Sequence, residues 1–168
     1  AAAAGRLTLL VGAAPDDLEA ATPVLAPLAD EVLHFGPVGA GTAYKLIVNL
    51  MGAVQIAGAA EGLALAERSG LDLQQVASAL ASSQAASPQV VRNSRRMVDA
   101  NPDVVFSGRL RRKDTAYALR LAERLGIGVP FGEVALDGLD ALLAAGLGEA
   151  NESAIIEVAR ARRRQPQE

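Results

Sequence analysis

The chain has 168 residues, of which 51% are hydrophobic and 21% charged. That is material for one domain with a sizeable core, or for one domain plus part of another, and it excludes wholesale disorder. With no cysteine and a formal net charge of -3, a disulfide scaffold, a thiolate metal site and a cysteine nucleophile are excluded, and no global charge draws the chain to nucleic acid or an anionic membrane.

Ala1 to Gly5 is small and apolar and lacks the basic region of a signal peptide; with no initiator methionine, a processed or truncated piece is expected. Leu7 to Val11 (LTLLV) reads as a short buried strand that Gly12 ends. Pro15, Asp16 and Asp17 then open a helix, with proline in the first turn and acids at its positive end. Leu18, Ala21, Leu25 and Leu28 follow at helical spacing. Glu31 to Phe35 reads as a second strand. Strand, helix and strand over about 30 residues make a βαβ unit with a right-handed crossover. Two strands do not form a stable sheet alone. Residues 1–35 are therefore expected to end a larger α/β domain.

After Gly36-Pro37-Val38-Gly39-Ala40-Gly41 the pattern turns helical. A long helix is expected from Thr42 to Arg68, stopped by Gly70, roughly 40 Å long at ~1.5 Å per residue. Its stretch from Leu46 to Ala66 is long enough to cross a bilayer, but Asn49, Gln55 and Glu61 interrupt it, so a buried helix is expected and not a membrane span. Apolar nearly all round, it should lie in a bundle or an oligomer interface. Asp72 caps the next helix, with Gln75 completing a capping box. Ser87-Pro88 starts another, ended by Asn101-Pro102. The following helix begins near Arg109 and is read with Ala116, Leu119, Ala122 and Leu125 on one face and Gly126 after it. Pro130 opens the next, to Gly146. Asn151 or Ser153 caps a last helix through Val158, and the tail from Arg163 reads as polar and frayed.

Only two of the 16 basic residues are lysines, Lys45 and Lys113. A lysine can release a proton where arginine effectively cannot, which draws attention to both. Lys45 and Asn49 are four apart on the long helix and share a face. One can move a proton; the other donates and accepts hydrogen bonds. Burial of Lys45 in an apolar helix would lower its pKa into a useful range. On spacing alone, a lysine that snorkels and an asparagine that bonds a neighbouring backbone explain the pair equally well. The glycine loop before them allows close backbone approach and favours an anion at the helix start. It is not a P-loop, and no G-x-G-x-x-G occurs in the chain. His34, the single histidine, is expected to be structural or superficial, and Tyr44 to serve packing. Arg109, Arg111 and Arg112 read as a solvated basic face with possible help to a cofactor phosphate, and Arg160 to Arg164 as a solubilising cluster.

The pattern G-x-x-G-x-G-x-x-x-K-x-x-x-N from Gly36 to Asn49 resembles the signature of the β-hydroxyacid dehydrogenase family, which includes 3-hydroxyisobutyrate dehydrogenase and is 6-phosphogluconate-dehydrogenase-like. Glu61-Gly62-Leu63-Ala64-Leu65-Ala66-Glu67 with Gly70 is similar to its next helical segment. Phe106, Leu110, Lys113 and Asp114, with Pro130, resemble its F…L-x-x-K-D…P segment, although Thr115 stands where leucine is usual. Gly5 to Gly12 resembles its last glycine-flanked strand. True 6-phosphogluconate dehydrogenases carry a histidine close before the lysine, imine reductases usually replace the lysine, and UDP-sugar dehydrogenases need a catalytic cysteine; none of these fits.

The resemblance implies a mainly α chain: residues 1–36 as the remnant of an NAD(P)-binding Rossmann domain and residues 37–168 as an all-helical substrate and dimerisation domain. It implies an oxidoreductase that interconverts a small hydroxyacid and its semialdehyde or keto acid by hydride transfer with NAD or NADP, largely bound by the preceding domain. Lys45 would be the general acid/base, Asn49 and Gly39 would meet substrate, and Lys113 would reach the cofactor. Asp114 would orient Lys113 or, the favoured role, cap its helix. A cytoplasmic homodimer without nucleic-acid, membrane or metal partners is expected. The other reading is a non-catalytic helical dimerisation or binding module on the same scaffold.

Overall fold

The computed structural model describes residues 4–162. Its contacts divide the chain into two compact units, Ala1–Val48 and Asn49–Glu168. The division falls inside the long helix, whose first turns pack with the strands.

In the first unit, β1 (Leu7–Val11) and β2 (Ala29–His34) form a parallel pair in which Leu9 faces Val32 and Val11 faces His34. The helix α1 (Pro15–Leu25) connects them, with Pro15 at its start and Asp16 and Asp17 in its first turn. A 3-10 turn at Ala26–Leu28 follows, so Leu28 falls outside the helix whose spacing it continues. β2 begins and ends earlier than the sequence predicts. Phe35 leaves the strand and stacks on Tyr44, with ring centroids 4.1 Å apart. This supports packing as the role of Tyr44. The His34 Nε2 lies 2.9 Å from both the Ala13 and the Gly36 carbonyl oxygens. Carbonyls only accept, so Nε2 carries the proton. His34 thus ties the turn after β1 to the turn after β2.

Gly41 closes this unit because no side chain fits there. A Cβ on it would stand 2.3 Å from the Leu10 carbonyl oxygen, a backbone atom that cannot swing away. Gly41→Ala is expected to destabilise the protein by about 1–3 kcal/mol, the usual cost of overpacking, measured by denaturant unfolding.

The long helix α2 runs Ala40–Arg68, two residues earlier than expected at its start. By length and composition it could cross a membrane. In the second unit, however, its Ala53, Ile56, Ala60 and Leu63 form the core with Met97, Leu139, Leu142, Ile155 and Ile156. Within the single chain Ile47, Val48, Met51 and Leu65 of α2 are exposed. One face of α2 is enough to build the core, and the rest is left outside it.

The remaining helices are α3 (Leu73–Leu80), α4 (Pro88–Val98), α5 (Gly108–Arg124), α6 (Pro130–Ala144) and α7 (Ile155–Ala161). Asp72 caps α3 by accepting from the Gln74 N–H at 2.9 Å. Ser87 caps α4 by accepting from the Val90 N–H and donates its own hydrogen to Gln55 Oε1 on α2 at 2.9 Å. Ser107 caps α5 through the Leu110 N–H.

Two sequence expectations about α5 are corrected. Its buried face carries Arg111, Thr115, Ala118 and Ala122, while Ala116 and Leu119 are half-buried and Leu125 is exposed. Steps of three residues alone fall about 60° short of a full turn each time, so the expected row drifts off the inner face; steps of four, three and four stay on it. Asp114 does not cap the helix, because it lies two turns in and Ser107 already holds that place.

The start of α7 is corrected too. A 3-10 turn at Glu152–Ala154 precedes it, and Asn151 makes no side-chain cap bond to it. Asn151 Oδ1 instead accepts from the Val105 and Phe106 N–H groups, and its Nδ2 donates to Ser153 Oγ at 2.8 Å. Arg160 is more than solubilising: it pairs with Glu67 and Glu157, and Glu67 holds its guanidinium still more firmly protonated. Arg163 and Arg164 lie outside the described residues.

Candidate active site

The site is built on one helical turn of α2 and the first half of α5. Asn49 is 6% exposed. Its Nδ2 donates to Asp114 Oδ2 at 2.8 Å. A buried amide needs such a partner, and the carboxylate fixes which way the amide points. With the amide nitrogen turned to Asp114, Oδ1 is presented as an acceptor.

Asp114 holds a second group. Its Oδ1 lies 3.4 Å from Lys113 Nζ, whose side chain is 51% exposed. The Lys113 ammonium also stands 5.9 Å from the centre of the Tyr117 ring. Asp114 therefore links Asn49 and Lys113, two of the residues the sequence singles out. Of the two roles weighed for Asp114, contact with Lys113 is the one observed.

Lys45 sits one turn before Asn49 along α2 and is exposed in this chain. Gly39 has φ +93, a left-handed conformation that disfavours any side chain, and no atom would lie within 4 Å of its Cβ. That leaves open space before the helix.

The basic run at the start of α5 is not one solvated face. Arg109 pairs with Glu149, and Arg112 with Asp140 at 2.7 Å. Asp140 holds Arg112 still more firmly protonated. Arg111 is 4% exposed and donates through Nε to Glu152 Oε2 at 2.6 Å, and Glu152 is itself 1% exposed. The guanidinium lies 4.7 Å over the Phe106 ring, and Nη1 donates to the Asn49 carbonyl at 3.2 Å. Asn93 adds a bond to Glu152 Oε1. Nothing local announces this pair: its partners are 41 residues apart in the chain, and each sits among charged or polar neighbours.

Comparison with known proteins gives the family. Residues 39–159 match the family described as NAD-binding of NADP-dependent 3-hydroxyisobutyrate dehydrogenase. The chain is 34% identical over 170 aligned residues to a probable 3-hydroxyisobutyrate dehydrogenase of Mycobacterium tuberculosis, covering 96% of this chain and 57% of that protein. The solved 3-hydroxyisobutyrate dehydrogenase of Mycobacterium tuberculosis with L-serine shares the fold at a TM-score of 0.86 and 32% identity, over 95% of this chain and 57% of that one. A 3-hydroxyisobutyrate dehydrogenase from Salmonella typhimurium shares it at a TM-score of 0.84 and 27% identity, over 94% of this chain and 55% of that one. The chain thus spans little more than half the length of the relatives it matches, and over that span it belongs to the 3-hydroxyisobutyrate dehydrogenase family.

Proposed function

We propose that the protein containing this chain oxidises a small hydroxyacid, or reduces the corresponding semialdehyde or keto acid, by hydride transfer with NAD or NADP. The observation that carries this is a lysine one helical turn before a buried asparagine whose amide Asp114 orients, within a chain matched to that family from residue 39 to 159. Lys45 gives a proton to the carbonyl oxygen in reduction and takes it from the hydroxyl in oxidation. Asn49 and the open backbone at Gly39 orient the substrate. The 3-hydroxyisobutyrate and L-serine of the relatives' names support a short carboxylic acid bearing a primary alcohol as the substrate class.

For a dinucleotide, the residues of this chain fit a part of the site. Lys113 offers an exposed cation beside Asp114. Within the first unit, taken by itself, two parallel strands end at a glycine-rich turn, and sheets of this kind meet ligands at the carboxyl ends of their strands. When bound, the nicotinamide accepts or donates the hydride. Lys113 would hold the cofactor by its charge. The cellular site proposed is the cytoplasm.

The test is reduction of NAD or NADP by the intact protein, with 3-hydroxyisobutyrate, L-serine and other short hydroxyacids offered in turn. Turnover with any of them supports the reading; no cofactor reduction across the series overturns it.

A homodimer is part of the same proposal. It is supported by apolar side chains left outside the core of the second unit, Met51, Phe131 and Val134 among them, with Phe131 78% exposed. Phe131→Asp is expected to halve the particle mass in analytical ultracentrifugation, since a buried unpaired charge disrupts an apolar interface; wild-type protein that sediments as a monomer overturns the dimer.

A further inference from the structure

We propose that the buried Arg111–Glu152 pair is a positioning device for Asn49, and that it sets how well the hydroxyacid is held. The proposal rests on the dehydrogenase reading above.

Asn49 is gripped from α5 at two points. Asp114 takes its side-chain amide at 2.8 Å, and Arg111, three residues earlier on the same helix, takes its backbone carbonyl at 3.2 Å. A grip is only as firm as its own anchor, and Arg111 is fixed on three further sides. Glu152 Oε2 accepts from Nε at 2.6 Å, the Phe106 ring lies under the guanidinium at 4.7 Å, and Thr115 Oγ1 donates to the Arg111 carbonyl at 2.8 Å. Glu152 is anchored in turn by its backbone N–H on the Phe106 carbonyl at 2.8 Å. Asn93 contacts it at 3.3 Å, and Arg92 lies 3.6 Å away. Gly52, the next turn of α2, leaves the room: a Cβ there would stand 3.0 Å from Arg111 Nη1 and 2.8 Å from Gln89 Nε2.

A buried ion pair is a poor device for stability, because well-packed apolar residues often serve as well. An arginine fork, by contrast, fixes direction: its donors leave in a rigid plane. Here one donor goes to a carboxylate and another to the backbone of the substrate-orienting residue. The arrangement reads as a geometric constraint on Asn49, whose displacement by about 1 Å can cost a hundredfold in rate.

The experiment compares Arg111→Lys and the double variant Arg111→Met/Glu152→Leu with the wild-type intact protein, reading kcat, both KM values and thermal unfolding. The double variant replaces the pair by apolar volume and is expected to stay folded. In both variants the hydroxyacid KM is expected to rise, and kcat/KM to fall about tenfold or more, while the cofactor KM stays put. A role in packing alone predicts otherwise, since loss of folded protein lowers the apparent kcat and moves neither KM. Folded variants with an unchanged hydroxyacid KM overturn the proposal. Should the double variant not fold, Arg111→Lys is read by the same criterion. Wild-type protein without turnover would sink the dehydrogenase reading itself, and this proposal with it; an active wild type with indifferent variants sinks only the positioning role.

Discussion

Lys45→Ala in the intact protein is expected to lower kcat by about 10²–10⁴-fold, the usual share of a positioned general acid or base, with cofactor affinity largely unchanged. The reasoning is chemical. A ketone or aldehyde oxygen that receives hydride at its carbon becomes an alkoxide unless a proton arrives, and in the other direction the hydroxyl must lose one. Lys45 stands one turn before Asn49 on α2 and can exchange a proton, and the chain's lysines number two among 16 basic residues. Lys45→Arg separates charge from proton transfer: arginine keeps the cation but does not give up its proton. It should be nearly as impaired as the alanine variant. If Lys45→Arg retains wild-type kcat, charge alone suffices and the acid/base role is wrong. If Lys45→Ala retains it, the lysine has no part in the chemistry. Because Lys45 is exposed, neither change should disturb folding, and thermal unfolding of both variants should match the parent.

The local rules of the chain made most of its elements legible. Strand β1 was readable from a short run, apolar except for Thr8, that Gly12 ends. The starts of α3, α4 and α6 were readable from Asp72, from Ser87 with Pro88, and from Pro130, because caps and first-turn prolines act within a few residues. The long helix was readable from its length and its glycine stop. The candidate residues Lys45, Asn49 and Lys113 stood out through residue type and order. What failed was non-local. The burial of Arg111 depends on Glu152, and nothing near either residue announces the other. The same is true of Asp114, whose cap-forming chemistry suggested a helix start and whose actual partner, Asn49, lies 65 residues away. The apolar face of α2 that this chain leaves exposed was not legible as such: composition reports how apolar a helix is, not which of its sides another element of the same chain covers.

Glu152→Ala is expected to be among the most damaging single changes away from the proposed reaction, at about 3–5 kcal/mol, the range for breaking a buried ion pair from one side. The variant leaves the Arg111 guanidinium with its Asn49 carbonyl and the Phe106 face but without a counter-charge, in a place 4% exposed to solvent. It also removes one acceptor of Asn93 Nδ2, which keeps the Gln89 carbonyl, and the charge opposite Arg92. Against a total stability of about 5–15 kcal/mol for an ordinary domain, such a loss unfolds a substantial share of the protein near physiological temperature. Denaturant unfolding should show a lower midpoint at nearly constant slope, since the area exposed on unfolding scarcely changes. Glu152→Gln should fall between, because the amide keeps an acceptor for Arg111 Nε while giving up the charge. The double variant Arg111→Met/Glu152→Leu should recover most of the loss, because it removes both charges at once. That ordering, with the single alanine change worse than the paired apolar one, distinguishes an uncompensated buried cation from a simple cavity, for which the larger total change would be the more damaging. A double variant less stable than Glu152→Ala would mean that the pair contributes net stability, and the desolvation argument would have to be given up.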